Sequence, residues 1–521
     1  MLRQVVTPNG VLQGMIGKDP RITVFRGVPF AKPPVGELRW KAPQPAEPWV
    51  GIRKCYEYGD IPMIYPHPGA DLEEFYTKEL NPTGTDYTMS EDCLYLNIFS
   101  PAETKNDKLP VFCYIHGGGY QAGYNYECEF DGERLARRGC IVVMVSYRLG
   151  LFGFLAHPEL TAEAGDDGVI SNFGMLDQSM AIHWIYENIA NFGGDPSRIT
   201  ICGQSAGAGS VQLQLCSPMN KGLIAGAICQ SSVQMGFAGE DINARTMTVA
   251  KAEEYGKQFF ETIGVKNIAE ARALPARELM ARLVMAKKKA GGRGFTFNPI
   301  IDGKFVTDGV VSHYYKDTLP NVPMMVGHCV GEATSFSAFA APVPSYEAFV
   351  AHARDTYGEK ADEYLALCNV SNDEEVKALY DKGIFSRMFG GSRGFCELRA
   401  SMGKKVYYFI FDHDLPGDDA GSFHGSEMWF TFDSLANSWR PFEGRHYDLA
   451  RQVASYWVNF VKYGDPNGEG VDYNGNPLPN WEAYENGKRQ VMKFLDKATP
   501  AVLDEDPITD FRLAESKKQF C

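Results

Sequence analysis

Short runs of apolar, largely β-branched residues recur along the chain at 111–115, 141–146, 199–203, 224–230, 324–327 and 406–411. Runs this short, bounded by turn-forming residues, predict buried strands. Between the second and third runs, Leu176, Met180, Trp184, Ile185 and Ile189 recur at three- and four-residue spacing, which predicts a helix of about four turns with one apolar face. Leu449, Val453, Trp457, Phe460 and Val461 repeat that spacing, and Gly464-Asp-Pro466 ends the second helix. Strands that are apolar on both sides must be covered on both sides. The alternation therefore predicts the α/β class, with a large, mainly parallel central sheet flanked by helices. Two stretches break the rhythm, at about 236–297 and 345–402. Both are polar and helix-prone, and are expected as helical insertions over the strand ends of a single domain spanning 1–521. The run Lys287-Lys-Lys289 in the first is expected as a solvated helix end.

Composition narrows the function classes. The chain has 521 residues, 44% of them hydrophobic, and a formal net charge of −14. Phosphate neutralisation requires a basic surface, so no nucleic-acid partner is expected. The N-terminal decapeptide has no continuous apolar segment, and no stretch approaches the ~18 apolar residues of a membrane span. A cytoplasmic protein without a membrane span is the expectation, although removal of a leader would leave the same sequence. Of twelve cysteines, Cys113, Cys140, Cys202 and Cys229 sit inside apolar runs, where a free thiol behaves as a small hydrophobe. No paired CxxC is present, so neither a metal nor another cofactor is expected.

Two glycine-rich segments carry chemistry. Gly203-Gln-Ser205-Ala-Gly207 lies between a predicted strand ending at Cys202 and a helix opening at Ala206. A strand–turn–helix around G-x-S-x-G exposes the serine hydroxyl on a strained turn, the arrangement of a nucleophile elbow. His116-Gly-Gly-Gly119-Tyr120 follows the strand at 111–115. Its amides, at Gly118 and Gly119 together with that of Ala206, are the candidates for stabilising an oxyanion.

At this point the chain resembles the type-B carboxylesterase/lipase family, which includes para-nitrobenzyl-type esterases, liver carboxylesterases and cholinesterases. Two long segments carry the resemblance: Glu91-Asp-Cys-Leu-Tyr-Leu-Asn-Ile-Phe-Ser-Pro101, and Phe192-Gly-Gly-Asp-Pro-Ser-Arg-Ile-Thr-Ile-Cys-Gly-Gln-Ser-Ala-Gly207. The resemblance implies the α/β-hydrolase fold and ester hydrolysis through a Ser–Glu–His triad. It assigns Ser205, Glu332 and His424 as catalytic residues and Ser231 as a hydroxyl near them. It also implies the ion pairs Arg39–Glu91 and Arg148–Asp177. The acid segment reads Gly331-Glu332-Ala333 where the family has Asp-Glu-Gly, so Asp302 and Asp308 stand as alternative acids. His413 is the rival base. His116, His157, His183 and His328 are expected to be structural.

The substrate is expected to be a small or medium ester, apolar or aryl, in a pocket lined by Tyr120, Tyr124, Phe237, Phe336 and Phe339. Secreted relatives bridge the cysteine matching Cys93, but here only the displaced Cys55 precedes it. The loop 80–87 holds no tryptophan to stack a quaternary ammonium, which argues against choline esters. A lipase and a non-catalytic binding protein on the same fold are the alternative functions. The sequence leaves the oligomeric state open.

Overall fold

The structure, a computed structural model, describes residues 1–65, 74–165, 168–238, 246–290, 294–332, 342–386, 388–472 and 474–520. The central sheet contains β1 (Met15–Ile16), β2 (Thr23–Pro29), β3 (Tyr95–Ser100), β4 (Leu109–Ile115), β5 (Ile141–Val145), β6 (Gly194–Gln204), β7 (Gly226–Gln230), β8 (Met324–Cys329), β9 (Val406–Phe411), β10 (Gln490–Phe494) and β11 (Ala498–Val502). Their order is β11-β10-β9-β8-β7-β6-β4-β5-β3-β2-β1. All pairings from β5 through β10 are parallel. The outer strands β1, β2, β3 and β11 pair antiparallel. A smaller sheet joins Gln4–Thr7, Gly10–Gln13 and Ile52–Lys54.

The two-residue repeat of a strand divides the core into two. Val111, Cys113, Val143, Ile201, Cys229 and Val326 face one buried cluster. Their neighbours Phe112, Tyr114, Val142, Met144, Cys202, Ile228 and Met325 face the other. Helix α1 (Phe173–Asn188) and helix α2 (Ala206–Cys216) close the first cluster with Ile182, Ile185, Ala208 and Val211. Helix α3 (Gly444–Tyr463) closes the second with Leu449, Val453, Trp457, Phe460 and Val461. It ends at Gly464, whose left-handed φ of 63° supplies the cap conformation that glycine adopts without a Cβ penalty.

The observed sheet is wider than the apolar runs predict. In β2 the polar Arg26 and Gly27 interrupt the run, where the register with β3 shifts between Phe25 and Val28. Strand β10, Gln-Val-Met-Lys-Phe, next to the edge strand β11, carries two polar residues in five. The two helical stretches also differ from each other. Phe259, Phe260, Leu279 and Leu283 of the first join the main core. In the second, Phe349, Tyr364, Val376 and Leu379 form a separate cluster with Ile508 and Phe511. Its last helix, Phe389–Ser401, instead packs Phe395, Cys396 and Leu398 into the main core.

Parallel neighbours end at the same edge, and this is what assembles the site. Ser205 follows β6, Ser231 follows β7, Glu332 lies just beyond β8 and His424 lies in the loop after β9. The glycine loop follows β4. Carboxyl ends of parallel strands in open α/β sheets are where ligands bind.

Candidate active site

Ser205 has φ 56° and ψ −125°, a conformation that is costly for a residue with a side chain. The sheet over-determines it: the Ser205 N–H donates to the Gln230 carbonyl at 2.9 Å, while α2 begins at the next residue. The flanking glycines are required by contact. A Cβ on Gly203 would lie 2.3 Å from the Gly207 carbonyl carbon, and one on Gly207 would lie 2.1 Å from the Ile115 carbonyl oxygen. Strand, elbow and helix therefore meet backbone to backbone.

Gly117, Gly118 and Gly119 line the same cavity as Ser205. Gly118 has φ 96°, and its carbonyl accepts the Gln121 and Ala122 N–H groups at 3.0 and 2.9 Å, so the loop folds back on itself. His116 lies beneath it, buried and stacked on Tyr147 at 4.5 Å. Burial lowers the His116 pKa to about 4, so this ring stays neutral and supports the loop. Ala206 opens α2, whose first amides have no acceptor within the helix.

His424 lines the cavity beside Ser205, and its Nδ1 is hydrogen-bonded to Glu332 Oε2 across 92 positions of sequence. Glu332 Oε1 accepts the Cys329 N–H at 2.9 Å. Burial acts to raise the Glu332 pKa, but the charge and hydrogen bond of His424, with bonds from Ser231 and the Cys329 amide, bring it below the ordinary value. Burial likewise disfavours a charged His424, yet Glu332 and then Glu427 raise its pKa above the ordinary value. A second buried carboxyl, Glu427, behaves oppositely: burial and the Glu332 charge raise its pKa. Two neighbouring acids are thus driven apart, and Glu332 carries the negative charge against the imidazole.

Glu427 is a site residue to which the sequence reading gave no role, although it lies three positions after His424. It accepts the Ser231 hydroxyl at 3.0 Å and the Cys329 thiol at 2.9 Å. Ser231 therefore tethers Glu427 as well as touching Glu332. Gln204 was also missed. Its Nε2 lies 3.3 Å from His424 Nε2, and its carbonyl closes on the glycine loop at Gly117.

The competing acids are engaged elsewhere. Asp302 Oδ1 accepts the N–H groups of Lys304, Phe305 and Val306, and its Oδ2 accepts Asn172 Nδ2 at 2.9 Å. Asp308 caps its own turn through Gly309 N–H and pairs with Lys316 at 2.9 Å. His413 is buried against Phe430 and His446, with Asp496 at 3.5 Å. His157 caps a helix, and His328 is buried beside Tyr408. Among the described residues, no group of three or more His, Cys, Asp or Glu side chains is arranged to hold a metal ion. Cys55, Cys93 and the other described cysteines are free thiols.

The cavity, of about 510 Å³, is walled by segments that the sequence reading did not single out. Helix Phe75–Leu80 forms one side: Phe75 packs on Phe423 at 4.9 Å, and the Tyr76 hydroxyl donates to the His424 carbonyl at 3.2 Å. Residues 122–130 and Met428–Trp429 form the other. Of the expected pocket residues, Tyr124 lines this cavity. Tyr120 instead turns toward Phe154 at 5.5 Å, and Phe237 is buried under the Arg512 guanidinium at 4.0 Å. Phe336 and Phe339 lie outside the described residues.

Both expected ion pairs form. Arg39 meets Glu91 with two 2.6 Å bonds and holds the Ala271 and Leu274 carbonyls at 2.7 and 2.8 Å. Arg148 meets Asp177 with two 2.7 Å bonds, fully buried.

The chain is similar to known proteins over nearly its whole length. The chain matches the model of the carboxylesterase family over residues 2–508. It is 30% identical to the para-nitrobenzyl esterase of Bacillus subtilis (strain 168), over 98% of each chain. It is 32% identical to the fumonisin B1 esterase of Sphingopyxis macrogoltabida, over 88% of this chain and 82% of that protein. Two solved structures of PNB esterase match with TM-scores of 0.76 and 0.78 at 26% and 27% identity, covering 98% of this chain and 100% and 99% of theirs. The chain thus belongs to the carboxylesterase family, and is a carboxylic-ester hydrolase on the α/β-hydrolase fold.

Proposed function

We propose that Ser205, His424 and Glu332 form the hydrolytic triad and that the substrates are small to medium esters, apolar or aryl. One observation carries the reading. A serine held at φ 56° on the strand–helix elbow shares a cavity with an imidazole whose far nitrogen is bound to a buried carboxylate. His424 Nε2 takes the Ser205 proton as the oxygen attacks the ester carbonyl. Glu332 keeps the Nδ1 proton in place and stabilises the imidazolium. The amides of Gly118, Gly119 and Ala206 receive the oxyanion. The imidazolium then returns the proton to the departing alkoxide, and water hydrolyses the acyl-serine by the same route. The size of the cavity and its largely aromatic and aliphatic walls suit an acyl or alcohol group of several carbons.

A fluorophosphonate should label Ser205, as read by mass spectrometry of the adduct. An adduct on any other residue overturns the assignment. Chain-length preference over p-nitrophenyl esters separates this reading from that of a lipase, which should favour long acyl chains.

The pH profile supplies a second test. The base works only when neutral, and the pKa of His424 is raised. Hence kcat/KM should fall as pH drops through a value above the ordinary histidine value of about 6.5. Glu332→Gln removes the charge that raises it. The acid limb should then move to lower pH while the plateau rate falls by about 10⁴-fold, the cost of losing the carboxylate that orients such a histidine. An unmoved limb rules out Glu332 as the partner.

A further inference from the structure

We infer that the cavity beside Ser205 selects esters bearing a protonated primary amine, which Glu127 and Glu129 receive. The inference rests on the proposed nucleophile, because it gives that nucleophile's cavity a substrate class.

Among the described residues four acids stand in the cavity wall: Glu74, exposed and accepting the Thr77 N–H at 2.7 Å, and Glu79, Glu127 and Glu129. Glu79 is in an ion pair, with an arginine that it shares with Asp418. Arg440 donates to Glu79 at 2.7 and 3.1 Å, and Trp439 Nε1 at 2.9 Å. Glu127 and Glu129 are buried as deeply as core residues, at 7% and 5% exposure, yet neither is in an ion pair among the described residues. Their polar relief is slight: main chain at Tyr124 for Glu127, and for Glu129 its own main chain and the Cys128 thiol at 4.0 Å. The nearby Lys78 is turned onto the Trp439 ring at 3.6 Å. Burial pushes the Glu127 carboxyl up to about 8, and burial with the neighbouring Glu127 raises that of Glu129. Burial thus keeps these two carboxyls protonated in the empty cavity, and an entering cation would let them ionise. Both line the space that the substrate must occupy, where a substrate cation would meet them.

The chemistry of the walls specifies the cation. Tyr124, Phe130, Phe423 and Trp429 line the same cavity, and aromatic faces attract a positive charge. Carboxylate oxygens add hydrogen-bond acceptors. A primary ammonium has three N–H donors for them, whereas a quaternary ammonium has none. The carboxylates therefore favour the former, and the apolar walls take the carbon chain that links it to the ester.

The test compares matched esters on the intact enzyme at about pH 7.5, where an alkylamine carries its proton. One pair places the amine on the alcohol, as 6-aminohexyl acetate against heptyl acetate. The other places it on the acyl group, as 4-nitrophenyl 4-(aminomethyl)benzoate against the 4-ethylbenzoate. In at least one pair kcat/KM should favour the amine by about 10–100-fold, the range of a hydrogen bond between charged groups. In Glu127→Gln/Glu129→Gln that ratio should approach one. Should the double variant not fold, competitive inhibition of the wild-type enzyme by hexylammonium in preference to hexanol reads the same site. No amine preference in either pair overturns the inference. A trimethylammonium analogue that equals or exceeds the primary amine assigns recognition to the aromatic faces and overturns the role of the carboxylates. Turnover of neutral esters that survives Ser205→Ala defeats the nucleophile assignment instead. Turnover that requires Ser205 but ignores the amine defeats only this inference.

Discussion

Replacing Ser205 by alanine is expected to lower kcat on p-nitrophenyl acetate by about 10⁴–10⁶-fold, with an unchanged far-ultraviolet circular dichroism spectrum. The elbow should survive because the Ser205 main chain, not its hydroxyl, is bonded to Gln230, and because the backbone contacts of Gly203 and Gly207 remain. What disappears is the hydroxyl proposed to form the acyl-enzyme. A residual rate of about 10³–10⁴ over water should persist through the oxyanion donors and binding. Combining Ser205→Ala with His424→Ala should therefore cost little more than Ser205→Ala alone, since residues that act as a unit are non-additive. Near-wild-type turnover by the single variant, or additive losses in the double, would refute the triad.

The largest effect on stability is expected from Asp177→Ala. This carboxylate accepts Arg148 Nε and Nη2 at 2.7 Å and the Arg148 main-chain N–H at 3.0 Å, in a region with no solvent access. Removing it leaves a guanidinium and an amide buried without their partner, a loss of about 3–5 kcal/mol. The Arg148 carbonyl also touches the positions a Cβ would take on Gly153 and Gly174, so the segment following β5 has little room to relax. The urea midpoint should fall accordingly, and Arg148→Met/Asp177→Leu should recover much of the loss, because an apolar pair needs no counter-charge. A single-variant loss below about 1 kcal/mol would show that Arg148 finds water or another acceptor.

Sequence alone determined the parallel centre of the sheet and the elbow that carries Ser205. Strands β4 to β9 are buried on both faces over most of their length, in β6 from Ile199 onward, so their centres read as apolar runs. The elbow is likewise a local object: strand, G-x-S-x-G and helix are contiguous, and the glycines are required by contacts within that unit and with β4 beside it. The segments around Glu332 and His424 were also legible, through their resemblance to a family.

Tertiary structure decided what depends on distant pairing. The strands next to the sheet edges, β2 and β10, are interrupted or partly polar, and only their neighbours make them strands. The choice of Glu332 over Asp302 rested on which carboxylate β8 and the loop after β9 bring to His424. No local pattern separates a carboxylate that binds a histidine from one that ties three amides into a turn. The same holds for Glu427 and the acids of the cavity wall. Glu79 and Glu127 are both ordinary glutamates in sequence, but Arg440, more than three hundred residues away, reaches one and leaves the other in the cavity wall. A side chain's charge balance is set by partners in space, and one-dimensional spacing records only the partners that lie nearby along the chain.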